Sequence, residues 1–159
     1  MLSSAALAQE RTLVGRAAIV EREATAQFAK EAARTIKIAD QVFFAEEITT
    51  RADAKTVLEF RDGSTLELGP NSNVLIDKFV FNPVESTSEK SVRITQGLFR
   101  YTSSFVAKSS TAEIKTPTAT MGAPGRCAMR VRTQASRSVI TCASGVRFTT
   151  SAISLATSP

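Results

Sequence analysis

Few side chains in this sequence could do chemistry. Histidine is absent from the 159 residues, which removes the commonest general base and the commonest neutral metal ligand. Ser–His–Asp triads, Cys–His pairs and histidine-based zinc sites are excluded on that count alone. The only cysteines are Cys127 and Cys142, too few to hold a metal without histidine, so neither a metal nor a cofactor is expected. Asp53, Asp62 and Asp77 are the carboxylates a glycoside-cleaving reading would use. Asp62, however, belongs to an Asp-Gly turn, and the other two have no partner at a telling spacing. Gly63 and Gly69 are not followed by Gly-Lys-Ser/Thr, so they do not make a phosphate loop. The residues point away from an enzyme and towards a binding module.

Charge singles out one region. Residues 1–110 carry 14 basic and 14 acidic side chains. Residues 111–159 carry six basic ones (Lys115, Arg126, Arg130, Arg132, Arg137, Arg147) against Glu113 alone, so the whole net charge of +5 sits in the C-terminal third. Such a region can meet an anionic glycan or a lipid surface, or can simply be a solvated basic face that discourages edge pairing. The arginines have no interleaved aromatic residues, and nucleic acid is not expected as a partner.

The elements that must position these residues read as strands. With 43% hydrophobic and 22% charged residues the chain can fold throughout, and abundant Ser and Thr without a Leu-rich periodic run lean towards β structure. Leu13–Val20 is apolar enough for a strand. Ala24–Arg34 has helix-forming composition, but its strand-like flanks, Leu13–Val20 and Thr35–Ile38, favour a hairpin joined through Lys30–Arg34. Turns are expected at Ala39–Gln41 and Arg51–Ala54. Between Thr56 and Leu68 a three-residue loop, Arg61-Asp62-Gly63, pairs Phe60 with Ser64, Leu58 with Leu66 and Thr56 with Leu68. A two-residue loop would mix the two faces, so the buried face selects the longer one. Gly69, Pro70 and Asn71 open the next turn. Val74–Phe81 is a strand interrupted at Asp77-Lys78, Asn82–Lys90 an exposed loop, and Ser91–Tyr101 a long strand bent at Gly97. Glu113–Met121 is extended, with Pro117 marking an edge or a break.

Arg126–Thr133 and Ser136–Cys142 make a last hairpin turning near Gln134-Ala135, with Val146–Phe148 as a further short strand. This register sets Cys127 opposite Cys142, Met129 opposite Ile140 and Val131 opposite Ser138. It leaves Arg130, Arg132 and Arg137 on the other face, extended by Arg126 and Arg147. The two cysteines could form a disulfide closing a loop of roughly 15 residues, worth about 3 kcal/mol. The alternative is a pair of buried thiols.

Several of these segments together resemble the FecR-type periplasmic domain. They are Asp40-Gln41-Val42-Phe43, Ile48-Thr49-Thr50, Phe60–Leu66 and Leu68-Gly69-Pro70-Asn71-Ser72, followed by Gln96–Arg100 and Lys115–Gly122. They run in the family's order over about residues 12–148. The sequence departs from the family pattern at Ala123-Pro124-Gly125-Arg126, where Pro124 fixes φ and removes a donor.

The resemblance implies an all-β fold of short antiparallel strands and hairpins in a solenoid-like or twisted-sandwich arrangement, in the bacterial cell envelope. In iron-responsive signalling the domain is part of a regulator with a membrane helix and a sigma-factor-binding segment. Neither is seen in this sequence, so only the extracytoplasmic module is carried over. Residues 1–10, which contain Ala6-Leu7-Ala8-Gln9, read as the remnant of an export signal or a disordered lead, and residues 149–159 as a flexible tail. The expected protein is periplasmic or secreted and binds another envelope protein, with an anionic glycan or lipid surface as the alternative.

Overall fold

Alternation of buried and exposed side chains governs the chain almost from its start. The computed structural model describes residues 11–103, 109–117, 120–124, 128–134, 137–142 and 147–151, which form fourteen strands and no helix. In chain order they are β1 (Leu13–Glu21), β2 (Ala24–Phe28), β3 (Arg34–Thr35), β4 (Gln41–Phe43), β5 (Glu46–Thr50), β6 (Lys55–Phe60) and β7 (Thr65–Leu68). There follow β8 (Asn73–Asn82), β9 (Thr87–Thr102), β10 (Ser109–Lys115), β11 (Thr120–Pro124), β12 (Ala128–Gln134), β13 (Arg137–Cys142) and β14 (Arg147–Ser151). The sheet runs β3-β2-β5-β8-β9-β7-β6-β1-β4 and curls strongly into a half-barrel. The all-β architecture expected from the sequence is the one observed.

Strand β9 is the spine. Its first half lies between β8 and β10, antiparallel to the former and parallel to the latter. Its second half lies between β7 and β12, antiparallel to both. The change of neighbours falls at Gly97, whose φ of +115° only glycine tolerates well. Beyond β12 the sheet continues through β13 to β14. The hydrophobic core fills the hollow of the curl, and Val14, Leu58, Leu66, Phe99 and Tyr101 meet Ile48, Val74, Ile76, Val92 and Ile114 in it.

The Thr56–Leu68 hairpin has the register that its buried face requires. Leu58 pairs with Leu66 and Thr56 with Leu68, Phe60 N donates to Ser64 O at 2.9 Å, and Gly63 takes the left-handed conformation with φ of 78°. The turns expected near Ala39, Asp53 and Asn71 each hold a residue at positive φ. Asp77 occupies a bulge in the β8–β9 ladder.

Three local expectations are corrected. Ala24–Phe28 is a strand, but its hairpin partner is β3, with Ala26 opposite Arg34, while β1 pairs with β4 and β6. Ala24 and Ala26 are buried between neighbouring strands, and this packing overrides their helix propensity. Second, Thr87–Lys90 belongs to β9 and not to an exposed loop, and both Ser88 and Lys90 are buried. Third, the β12–β13 ladder pairs Met129 with Cys142, Val131 with Ile140 and Gln134 with Arg137, two residues out of the expected register. A shift of two leaves every position on its face, so burial alone could not discriminate between the two registers.

The Gly69–Asn73 turn is tied to β5 through one hydroxyl. Thr50 Oγ1 donates to Gly69 O at 2.6 Å and accepts from Ser72 N at 2.9 Å, with Thr50 and Ser72 both buried. Thr50→Val keeps the shape and removes both bonds. It should lower stability by about 1–3 kcal/mol, read as a shifted urea midpoint at unchanged slope.

Candidate functional site

Two constellations emerge once the strands are in register, one on the outer face and one inside. On the outside, the pairings align Val57, Glu67, Arg100, Arg130, Thr141 and Arg147 as one row across β6, β7, β9, β12, β13 and β14. The neighbouring row sets Leu98 opposite Arg132, and Arg132 opposite Val139. Arg137 pairs with Gln134 on one side and Ser151 on the other. Leu98, Arg100 and Arg132 are exposed, while the alternate residues Phe99 and Tyr101 are buried.

The ladder thus brings the positions of Arg130, Arg132, Arg137 and Arg147 to one side of the sheet and adds Arg100. The sequence reading missed Arg100 because nothing local reveals that β12 pairs with β9. Arg126 and Cys127 lie outside the described residues, and Cys142 stands opposite Met129.

Beside this row a cavity of about 370 Å³ is bounded by Asp53, Lys55, Glu67, Pro70, Leu98 and Arg100. Lys55 Nζ pairs with the Glu67 carboxylate at 3.0 Å, and this bond, ahead of the Glu67 charge, holds the Lys55 ammonium above its ordinary value. Arg100 has no carboxylate partner among the described residues. Asp53 and Glu67 balance Lys55 and Arg100 around the cavity, and exposed Arg132 on the neighbouring row adds a positive charge beside it.

Inside, Asp62 does more than turn the chain. Its carboxylate accepts from Ser64 N at 3.0 Å and Ser64 Oγ at 2.6 Å, from Ser88 Oγ, and from Lys90 Nζ at 2.5 Å. Lys90 also donates to Ser64 Oγ. Its ammonium lies 5.0 Å from the Phe60 ring centroid, 5.8 Å from Phe79 and 5.5 Å from Tyr101. Both charged side chains are almost fully buried.

Burial is the largest influence on Asp62 and would raise its pKa. The Lys90 charge and the hydrogen bonds from Lys90, Ser64 and Ser88 outweigh it and hold the carboxyl below its ordinary range. For Lys90 burial pulls the pKa down, and Asp62 opposes it without cancelling it. The pair fastens the β6–β7 turn to β9, and both its side chains are shielded from solvent. Lys90 was legible only as one polar residue in a polar run, since a buried lysine has the same sequence signature as an exposed one.

Asp53 is an exposed turn residue at φ of 60°. Asp77 pairs with Arg93 at 3.3 Å and Lys115 at 3.5 Å. Among the described residues no group of three His, Cys, Asp or Glu side chains could hold a metal, and no helix is long and apolar enough to cross a membrane.

These features define the class, an all-β module with an inward-paired core and an open cationic outer face. The chain belongs to the FecR family, whose model, described as FecR protein, matches residues 46–146. That span runs from the start of β5 to just before β14, and it covers the buried Asp62–Lys90 pair and the outer row as far as Thr141, leaving Arg147 just outside. Members of the family are generally non-catalytic signalling and sensing modules. No curated protein and no solved structure gave a significant match.

Proposed function

We propose that this chain is a non-catalytic module that acts outside the cytoplasm of a bacterium by binding another protein of the cell envelope. The FecR family match over residues 46–146 carries the reading. Among the described residues strand β4 pairs only with β1 and β11 only with β10, so each offers an edge to which a partner strand could add. Crosslinking of the tagged chain in envelope extract should capture a specific partner. Failure to recover any stable partner counts against the reading.

A second reading, docking on an anionic glycan or lipid surface, is favoured by the excess of six basic side chains over one acidic in residues 111–159. Replacing Arg130, Arg132 and Arg137 with Ser should then cut retention on an anionic matrix, and unchanged retention refutes it. An exported location also favours a Cys127–Cys142 disulfide. Thiol labelling of the denatured, unreduced protein should modify neither cysteine, and labelling of both overturns the bridge.

A further inference from the structure

The cavity beside Arg100 shares its wall with the cationic row. Leu98 presents a large apolar side chain there at 42% exposure. Arg100 stands next to it on the same face, two residues along β9, and Arg132 stands opposite Leu98 on β12. Of the two acidic residues at the rim, Glu67 is committed to Lys55, leaving Asp53 against Arg100 and Arg132. The ladder also sets Arg130 directly opposite Arg100.

We propose that this face is the docking site for an acidic segment of a partner protein. The segment lays an apolar side chain on Leu98 and sets a carboxylate two residues away against Arg100, within reach of Arg132. The spacing follows from strand geometry: same-face side chains of an extended segment recur about every 7 Å, as Leu98 and Arg100 do along β9. The cavity, at about 370 Å³, lies at the small end of the range for ligand sites and has room for an anchoring side chain. A glycan or a bare lipid headgroup would use the arginines and leave the exposed leucine unexplained. Arginine forks match carboxylates in two-point contacts, and the apolar floor adds burial that a purely electrostatic contact lacks.

The proposal rests on the protein-binding reading and is tested separately from it. The full chain is titrated with a short synthetic peptide in which glutamate and leucine alternate with serine, followed by fluorescence anisotropy at low salt. A matched peptide with lysine for glutamate serves as control. The acidic peptide should bind, and Arg100→Ser and Leu98→Ser should each weaken it about tenfold, the loss of one charged contact or one buried side chain.

Absence of acidic-peptide binding, equal binding of the lysine peptide, or binding that neither substitution changes overturns the proposal. So does binding to phosphatidylglycerol vesicles or polygalacturonate in place of the peptide. Both substituted residues are exposed, and circular dichroism of each variant checks that it is folded. An envelope partner captured equally by wild type and the Arg100→Ser variant overturns this surface while leaving the general reading intact. A positive, arginine-dependent peptide titration with no envelope partner supports the surface and removes the envelope role.

Discussion

Asp62→Ala should destabilise the fold by about 3–5 kcal/mol, because it strands the buried Lys90 ammonium without its counter-charge. The four contacts that Asp62 now accepts, from Ser64 twice, Ser88 and Lys90, would all be lost. Urea denaturation at neutral pH measures the effect. The double variant Asp62→Ala, Lys90→Met should recover most of the loss, since removing both partners of a buried pair is often nearly neutral. A single variant as stable as wild type would show that the pair does not hold the β6–β7 turn to β9.

The same pair makes the protein acid-sensitive. Asp62 titrates below its ordinary value of 3.8 when folded, so the unfolded chain takes up the proton first as pH falls. The stability contributed by the ionised carboxylate is complete above the unfolded value and is lost as pH drops through the folded one. The wild-type urea midpoint should therefore decline from about pH 5 downward. In Asp62→Asn, which has no carboxyl to titrate, that decline should be shallower. Parallel acid limbs in the two proteins would place the sensitivity elsewhere.

Gly97→Ala should be the second most damaging substitution. A Cβ at this position would lie 2.5 Å from Ser72 Cα, closer than real contacts allow, and φ of +115° disfavours any side chain. Backbone strain of about 1–3 kcal/mol and overpacking of similar size would combine. Because Leu98 N donates to Ser72 Oγ at 3.2 Å, the displacement should also move Leu98, and with it the cationic groove. Gly122→Ala is the control, because an added Cβ there meets nothing within 4 Å, and its cost should stay within about 0.5 kcal/mol. Equal thermal midpoints for the two variants would refute the tight crossing at Gly97.

What was legible in advance was whatever a short stretch of chain settles against water. The Phe60–Ser64 loop was readable because a two-residue turn would mix the faces, while a three-residue loop keeps Leu58, Leu66 and Leu68 on a shared buried face. The turn at Asn71 and the bend at Gly97 were readable because few residue types accept positive φ. The β12–β13 register was not, since registers two residues apart bury the same side chains. Ala24–Phe28 was ambiguous because alanine suits either state, and only the β5 and β3 ladders decide it.

The sequence by itself determined an all-β chain with its main turns, the absence of histidine chemistry and the concentration of positive charge in the last third. Each of these follows from residue type or from period-two burial within a few neighbours. Tertiary structure alone decided that Lys90 reaches Asp62 across 28 residues and that Arg100 stands beside Arg130 across the β9–β12 ladder. Both depend on which strand lies next to which. Strand order is set by how the whole sheet curls around its core, and the sequence around either residue carries no trace of it.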